Sequence, residues 1–457
     1  MKIRTSLITI IVVLMTIGYT SLAFGAVGAD EANKLGGPEL TPIGAERAGN
    51  KDGSIPAWTG VPIPVPKGYV KGSGFYVDPF ADEKPLFSIS AKNMAQYTDK
   101  LAEGLKVMMK KYPDYRIDVY KTHRTLVFPD SFYESSKRCA TACKLIKDGL
   151  AITGDGCYGG VSFPIPKNGN ELLWNHMLKY GAPEASTFDY ENYNITSTGK
   201  VSISGGALYT TDYIWNRPRS EKDWRYVAYR FDWTLPARRN GEGTIIIYPK
   251  DWDGRGSTIW SYLPGQRRVR LAPDMCCDTP NSGTAGASTY DDTGIWNGSP
   301  ERYNWKIIGK KEMYVPYNAY RFVYYRGDVK KAVLAHFVNP DLVRWELHRV
   351  FILEGTLKPG KRHVYSRRIM YVDEDSMSAL MADNFDKTGN LYRMALAHET
   401  YSYDVRGAYQ ETVVFYDHIS NSYAVNVWPR GRRGVQHMNF HPESYFSPDS
   451  MAGEGRR

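Results

Sequence analysis

The amino-acid sequence predicts a mainly β, α+β protein whose scaffold is a twisted and curved antiparallel sheet. Three observations carry that prediction. The 457 residues include 34 Tyr, 11 Trp and 16 Phe together with 42 Gly and 26 Pro, a mixture that favours strands and turns over helical bundles. From about Lys200 onward, apolar and polar side chains alternate with a period of two, the signature of half-buried strands. The alternating runs are separated by short turn sequences, which join consecutive strands antiparallel. With 42% hydrophobic and 23% charged residues, the chain is neither a disordered polar segment nor a multi-span membrane protein.

Taken in order, residues 1–25 read as a cleaved secretory signal. Lys2 and Arg4 form its charged region and Leu7 to Leu22 its apolar region. Ala23-Phe24-Gly25 supplies small residues for cleavage before Ala26. The mature protein is therefore expected to be soluble, exported and not lipidated, since the first cysteine is Cys139. The formal net charge is +9. Two of those charges leave with the leader, and the rest is read as a solvated surface, not a nucleic-acid footprint.

Residues 26–85 are rich in turn formers, and prolines at 62, 64 and 66 favour an extended strap over a central strand. Residues 86–430 form the main domain and 431–457 a C-terminal tail. The spacing of Met94, Tyr97, Leu101, Leu105, Met108 and Tyr112 predicts one helix stopped by Pro113, with Ser88 or Ser90 as its cap. A second helix is expected over Glu171 to Tyr180. Strands follow at Arg225 to Leu235, at Trp260 to Leu263, and at Arg268 to Leu271 after the turn Pro264-Gly265. Others are expected at Tyr320 to Tyr325, Val343 to Leu353, a return strand carrying Tyr365, Ile369 and Tyr371, Val413 to Tyr416 and Tyr423 to Trp428.

Hydrolase, protease, P-loop and dinucleotide signatures are absent. Ser197-Thr198-Gly199-Lys200 matches S-x-x-K without its partner motifs. No catalytic residue, cofactor or metal is expected. His348 and His363, on what read as adjoining strands, are expected as a cross-strand surface pair, with metal or acid–base chemistry as the alternative. Asp373-Glu374-Asp375 and Asp383-Asn384-Phe385-Asp386 lack calcium-loop spacing and read as solvated strand ends. Export favours disulfides over zinc. Cys139 and Cys143 lie one helical turn apart and are the expected pair, with Cys157 competing for either. Adjacent Cys276 and Cys277 cannot bridge without strain.

The distinctive feature is aromatic. Val227, Tyr229, Phe231 and Trp233 share one strand face. Together with Trp260, Tyr262, Phe322 and Trp345 they are read as packed core or as the lining of a hollow for an apolar ligand, and the second is the functional expectation. Tyrosine offers an apolar body with a polar tip. Arg267, Arg268 and Arg270 are the expected contacts for an anionic head group or an acidic partner.

Several long motifs resemble domain-of-unknown-function family 1329. They are Leu40–Asn50 (LTPIGAERAGN), Gly53–Gly60 (GSIPAWTG), Asp78–Phe87 (DPFADEKPLF), Tyr262–Arg270 (YLPGQRRVR) and Glu346–Val350 (ELHRV). The resemblance implies an exported, periplasmic protein related to the outer-membrane lipoprotein-sorting carriers. Its implied fold is an unclosed β-barrel, or half-barrel, with helices plugging a hydrophobic cavity. It further implies a carrier of lipidic or other hydrophobic cargo, serving a resistance-nodulation-division type transporter and an outer-membrane protein. It carries over no catalytic residues. The alternatives are an envelope enzyme acting on a lipid or polysaccharide and a ligand-free transporter adaptor.

Overall fold

A computed structural model describes residues 24–25, 27–218, 222–273 and 275–454. The expected leader lies outside these residues apart from its last two. Among the described residues, no helix is long and apolar enough to cross a membrane.

The scaffold is a single 16-stranded sheet that does not close on itself. Its strands are β1 (Phe87–Ser90), β2 (Arg116–Val119), β3 (Ala185–Ile195), β4 (Val201–Asp212), β5 (Arg225–Leu235), β6 (Gly243–Pro249), β7 (Thr258–Leu263) and β8 (Arg268–Leu271). They continue with β9 (Tyr303–Pro316), β10 (Arg344–Leu357), β11 (Arg367–Asp373), β12 (Ala379–Phe385), β13 (Leu391–Ala397), β14 (Val413–Asp417), β15 (Ser422–Trp428) and β16 (Gln436–Met438). The spatial order is β8-β7-β6-β5-β4-β3-β15-β14-β13-β12-β11-β10-β2-β1, with β9 also on β10 and β16 also on β3. The β3–β8 run is an antiparallel meander that contains the expected strands β5, β7 and β8, with β3, β4 and β6 beside them. Strand β2 meets β10 in parallel, through Asp118 opposite Arg344 and Val119 opposite Trp345.

Both faces of the sheet are covered, which is why β12 and β14 are buried along their whole length and read as apolar runs without clean alternation. The helices include α1 (Glu103–Lys111), α2 (Asp130–Ala142), α3 (Gly169–Met177), α4 (Tyr320–Val323) and α5 (Pro448–Glu454), besides single turns at Ala29–Ala32 and Val329–Ala332. Helix α3 matches the expected second helix. The Asn168 side chain accepts the Glu171 amide hydrogen and caps it. Residues 431–454 are packed: β16 pairs with β3, and Met451 joins Ile245 and Tyr262 in a small apolar cluster.

Four expectations are corrected. The helix expected over Met94 to Tyr112 is a 3-10 segment, Met94–Lys100, followed by α1 after an extended step at Leu101 and Ala102. The Asp383 carboxylate accepts the amide hydrogens of Glu103 and Gly104 at 2.9 and 3.0 Å and starts a new helix there. Ser88 and Ser90 are strand residues of β1, not caps. Tyr320 to Tyr325 is not a strand. Pro316 ends β9, Asn318 takes a positive φ of 50°, and the chain turns into α4.

The disulfide joins Cys143 to Cys157, not Cys139 to Cys143. Helix α2 ends at Cys143, whose backbone is already extended, and the chain then folds back through a small hairpin that returns Cys157 to within 4.9 Å, Cα to Cα. Cys139 stays buried and free, and its thiol donates to the Tyr158 carbonyl. Burial pushes that thiol up to about 11.

Candidate functional site

The candidate site is built on β3 to β6. In an antiparallel ladder, directly opposed residues share a face. The register places Phe231 opposite Tyr209, and Tyr209 opposite Phe188. Their rings form a ladder: Tyr209 stacks on Phe231 at 4.7 Å and meets Phe188 edge-on at 5.2 Å. Trp233 extends it to Tyr190, and Tyr229 leads to Tyr248. Gly205 makes room for Trp233. A β-carbon at Gly205 would come within 3.0 Å of the Trp233 ring.

This aromatic face is roofed in large part by residues 275–302, a segment with only short 3-10 turns. Asn297 bridges the roof to the sheet. Its side-chain oxygen accepts the Tyr226 hydroxyl at 2.5 Å, and its amide donates to the Tyr229 hydroxyl at 3.2 Å. The Gly283 carbonyl accepts from Asn192 and Ser204. The strongest anchor is ionic, with Arg368 donating to Asp291 and Asp292 at 2.9 and 2.8 Å. Burial alone would raise the Asp291 carboxyl, but Arg368 and His363 overcome it and hold it at about 2.

Where the roof meets the end of the aromatic face lies a cavity of about 250 Å³, walled by Tyr248, Trp252, Trp296, Cys276 and Cys277, with Arg255 and Arg302 also on its lining. The indole N–H groups of both tryptophans are buried without a hydrogen-bond partner. Unmade bonds of this kind are costly. The Cys276 and Cys277 sulfurs lie 2.7 Å apart.

The family model for "Protein of unknown function (DUF1329)" matches residues 88–452. This chain belongs to that family. It is 38% identical over 446 residues to an uncharacterised protein of Pseudomonas aeruginosa, covering 94% of this chain and 95% of the relative. Among solved structures it is similar to a DUF1329 family protein of Desulfovibrio piger, at 17% identity and a TM-score of 0.40, covering 59% of this chain and 92% of that one. It is also similar to a putative outer-membrane lipoprotein-sorting protein domain of Vibrio parahaemolyticus, at 13% identity and a TM-score of 0.41, covering 62% and 97%.

Of the eight expected lining residues, the structure brings four together: Val227, Tyr229, Phe231 and Trp233. Trp260 and Tyr262 lie on the opposite face. Trp260 is in register with Ile245, and Ile245 with Arg230, which alternates with the aromatic set along β5. Phe322 is on α4, stacked on Trp428 at 5.0 Å, and Trp345 is buried where β2 joins β10. Arg267, Arg268 and Arg270 are exposed on the β7–β8 hairpin at the sheet edge.

The two histidines do not face each other and are not on the surface. His363 precedes β11 and bonds Asp291 under the roof, at 3.1 Å. His348 lies towards the other end of β10, bonding Glu346 at 3.1 Å and stacking on Tyr317 at 3.8 Å. Asp373, Glu374 and Asp375 are buried, not solvated. Arg124 grips Asp375 through two hydrogen bonds, while Arg349 and Lys310 serve Glu374. Asp383 is buried as the cap of α1, and only Asp386 keeps the expected exposed-turn role. The roof segment escaped the sequence reading because its ties to the sheet are single side chains such as Asn297 and Asp291, which leave no periodic signal.

Proposed function

We propose that this protein is a soluble, periplasmic carrier or binding protein for hydrophobic cargo. The observation that supports this reading most directly is the aromatic face roofed by an irregular segment instead of a helix, with a cavity at its edge walled by Tyr248, Trp252 and Trp296. In this reading the open sheet works as a half-barrel, and the roof shifts to admit an apolar body against β3 to β6. Burial of that body contributes roughly 25 cal/mol per Å² of apolar surface, and the cavity beside Trp252 and Trp296 receives its end. The exposed Arg267, Arg268 and Arg270 would meet an anionic surface or an acidic partner, such as a transporter of the resistance-nodulation-division type or an outer-membrane protein. Binding is favoured over catalysis because His363 and Asp291, the acid–base pair nearest the cavity, are engaged with each other, and Asp291 also with Arg368.

The test is native mass spectrometry of the protein purified from its own periplasm, joined to titration with a fluorescent fatty acid. A co-purified lipidic ligand, and probe affinity lowered by Trp252→Ala and Trp296→Ala, are the expected results. Recovery of ligand-free protein that also ignores the probe would end this reading, and chemical conversion of the ligand would favour an enzyme.

A further inference from the structure

The buried cluster at the other end of β10 is separate from the aromatic site and carries its own chemistry. Three of its side chains, His348, Asp373 and Asp375, each present one ligand atom, and these atoms lie within 4.8 Å of one another. The geometry follows from the register. Val350 of β10 is opposite Asp373 of β11, so His348, two residues earlier on the same face, stands diagonally beside Asp373. The tight turn after β11 then folds Asp375 back. Its geometry is set by Ser376, whose amide and hydroxyl both donate to Asp373 Oδ2 at 2.9 Å.

The charges around this point do not balance. Arg344 serves Glu346, Arg124 serves Asp375, and Lys310 and Arg349 serve Glu374. Among the described residues, Asp373 and the neighbouring Glu399 are left without a cation, although both are almost completely buried. Each also has one oxygen, Asp373 Oδ1 and Glu399 Oε1, with no hydrogen-bond partner. Buried carboxylate oxygens without partners call for a proton or a cation. The stacked Tyr317 ring fixes the plane of the His348 imidazole, and Glu346 engages its Nε2, the kind of carboxylate support that metal-bound histidines have.

We propose that His348, Asp373 and Asp375 bind one divalent first-row transition cation, with Glu399 as a further oxygen donor. Mixed imidazole and carboxylate ligation selects Zn²⁺ or Mn²⁺ over the all-oxygen preferences of Ca²⁺ and Mg²⁺. The N-terminal strap lies over the site. The Glu46 amide donates to Glu374, Arg349 donates to the Ala48 carbonyl, and Arg124 to that of Arg47. The ion therefore exchanges slowly and holds the strap down.

The experiment uses the full mature chain, stripped with a chelator during mild warming and then offered ZnCl₂ or MnCl₂. Elemental analysis after desalting is expected to find one ion per chain, with a rise in Tm and slower proteolysis of the strap. Asp373→Asn keeps the side-chain shape and removes the charge, and with His348→Gln it is expected to weaken uptake by about tenfold or more. Asp383→Asn, at a separate buried carboxylate, is expected to leave uptake unchanged. Should His348→Gln fail to fold, Asp373→Asn decides alone. No uptake by the unmutated chain, or equal uptake by Asp373→Asn, overturns the proposal. Neither result bears on the lipid-probe titration, which reads the other end of the sheet.

Discussion

The rings of Tyr209 and Phe231 lie parallel on neighbouring strands, 4.7 Å between centroids and 10° apart in plane. Strict register produces this pairing, because the two residues face each other across β4 and β5. Aromatic pairs, stacked or edge-on, contribute about 0.5–1.5 kcal/mol each beyond the area they bury, and such pairs run from Phe188 to Trp233.

The two faces of the sheet should respond differently to truncation. Trp233 is buried against Tyr190 and Phe231 and donates its indole N–H to Thr244 at 3.1 Å. Trp233→Ala is expected to cost about 3–5 kcal/mol. Trp260, partly exposed on the outer face, should cost less than half as much. Urea unfolding of the two variants is the check, and equal losses would contradict the assignment of faces.

Arg368 should be indispensable to the roof. It is fully buried against two carboxylates, so Arg368→Ala strands Asp291 and Asp292 without their cation, at an expected cost of about 3–5 kcal/mol. Adding Asp291→Asn and Asp292→Asn should recover a substantial part of that loss. Hydrogen exchange across residues 275–302 is expected to accelerate in the single variant and to slow again in the triple one.

Asp383 should give the fold a measurable pH dependence. Burial outweighs the hydrogen bonds from Tyr371 and from the Gly104 and Glu103 amides, and raises this carboxyl from an ordinary 3.8 to about 6. The folded chain then holds the proton more tightly than the unfolded chain. The favourable contribution is full below about pH 4 and is lost as pH rises through 6, about 3 kcal/mol in all. Asp383→Asn should remove that slope, so the stability difference between the two proteins, measured by urea unfolding from pH 4 to 7, is the quantity to follow. A difference independent of pH would refute the assignment.

Non-reducing peptide mapping should return a Cys143–Cys157 cross-link and no Cys139–Cys143 species. Because the bridge closes a loop of about 14 residues, Cys143→Ala should lower stability by about 3 kcal/mol, whereas Cys139→Ala should leave the map unchanged.

The sequence by itself determined the mainly β class, strands β5, β7 and β8, helix α3 and the shared face of Val227, Tyr229, Phe231 and Trp233. Each of these is written in periodicity or in a cap a few residues away, where strand and helix geometry alone set which side chains align. Only the tertiary structure decided the rest. The break before α1 depends on Asp383, 280 residues away from Glu103 along the chain. The partner of Cys143 depends on where a hairpin returns the chain. Trp260 went to the opposite face because register across β6, not alternation within β7, assigns faces between strands. His348 and Asp373 look like solvated strand residues until Tyr317, the strap and the turn after β11 enclose them. Burial is a property of what packs against a residue, and that partner is supplied from elsewhere in the chain.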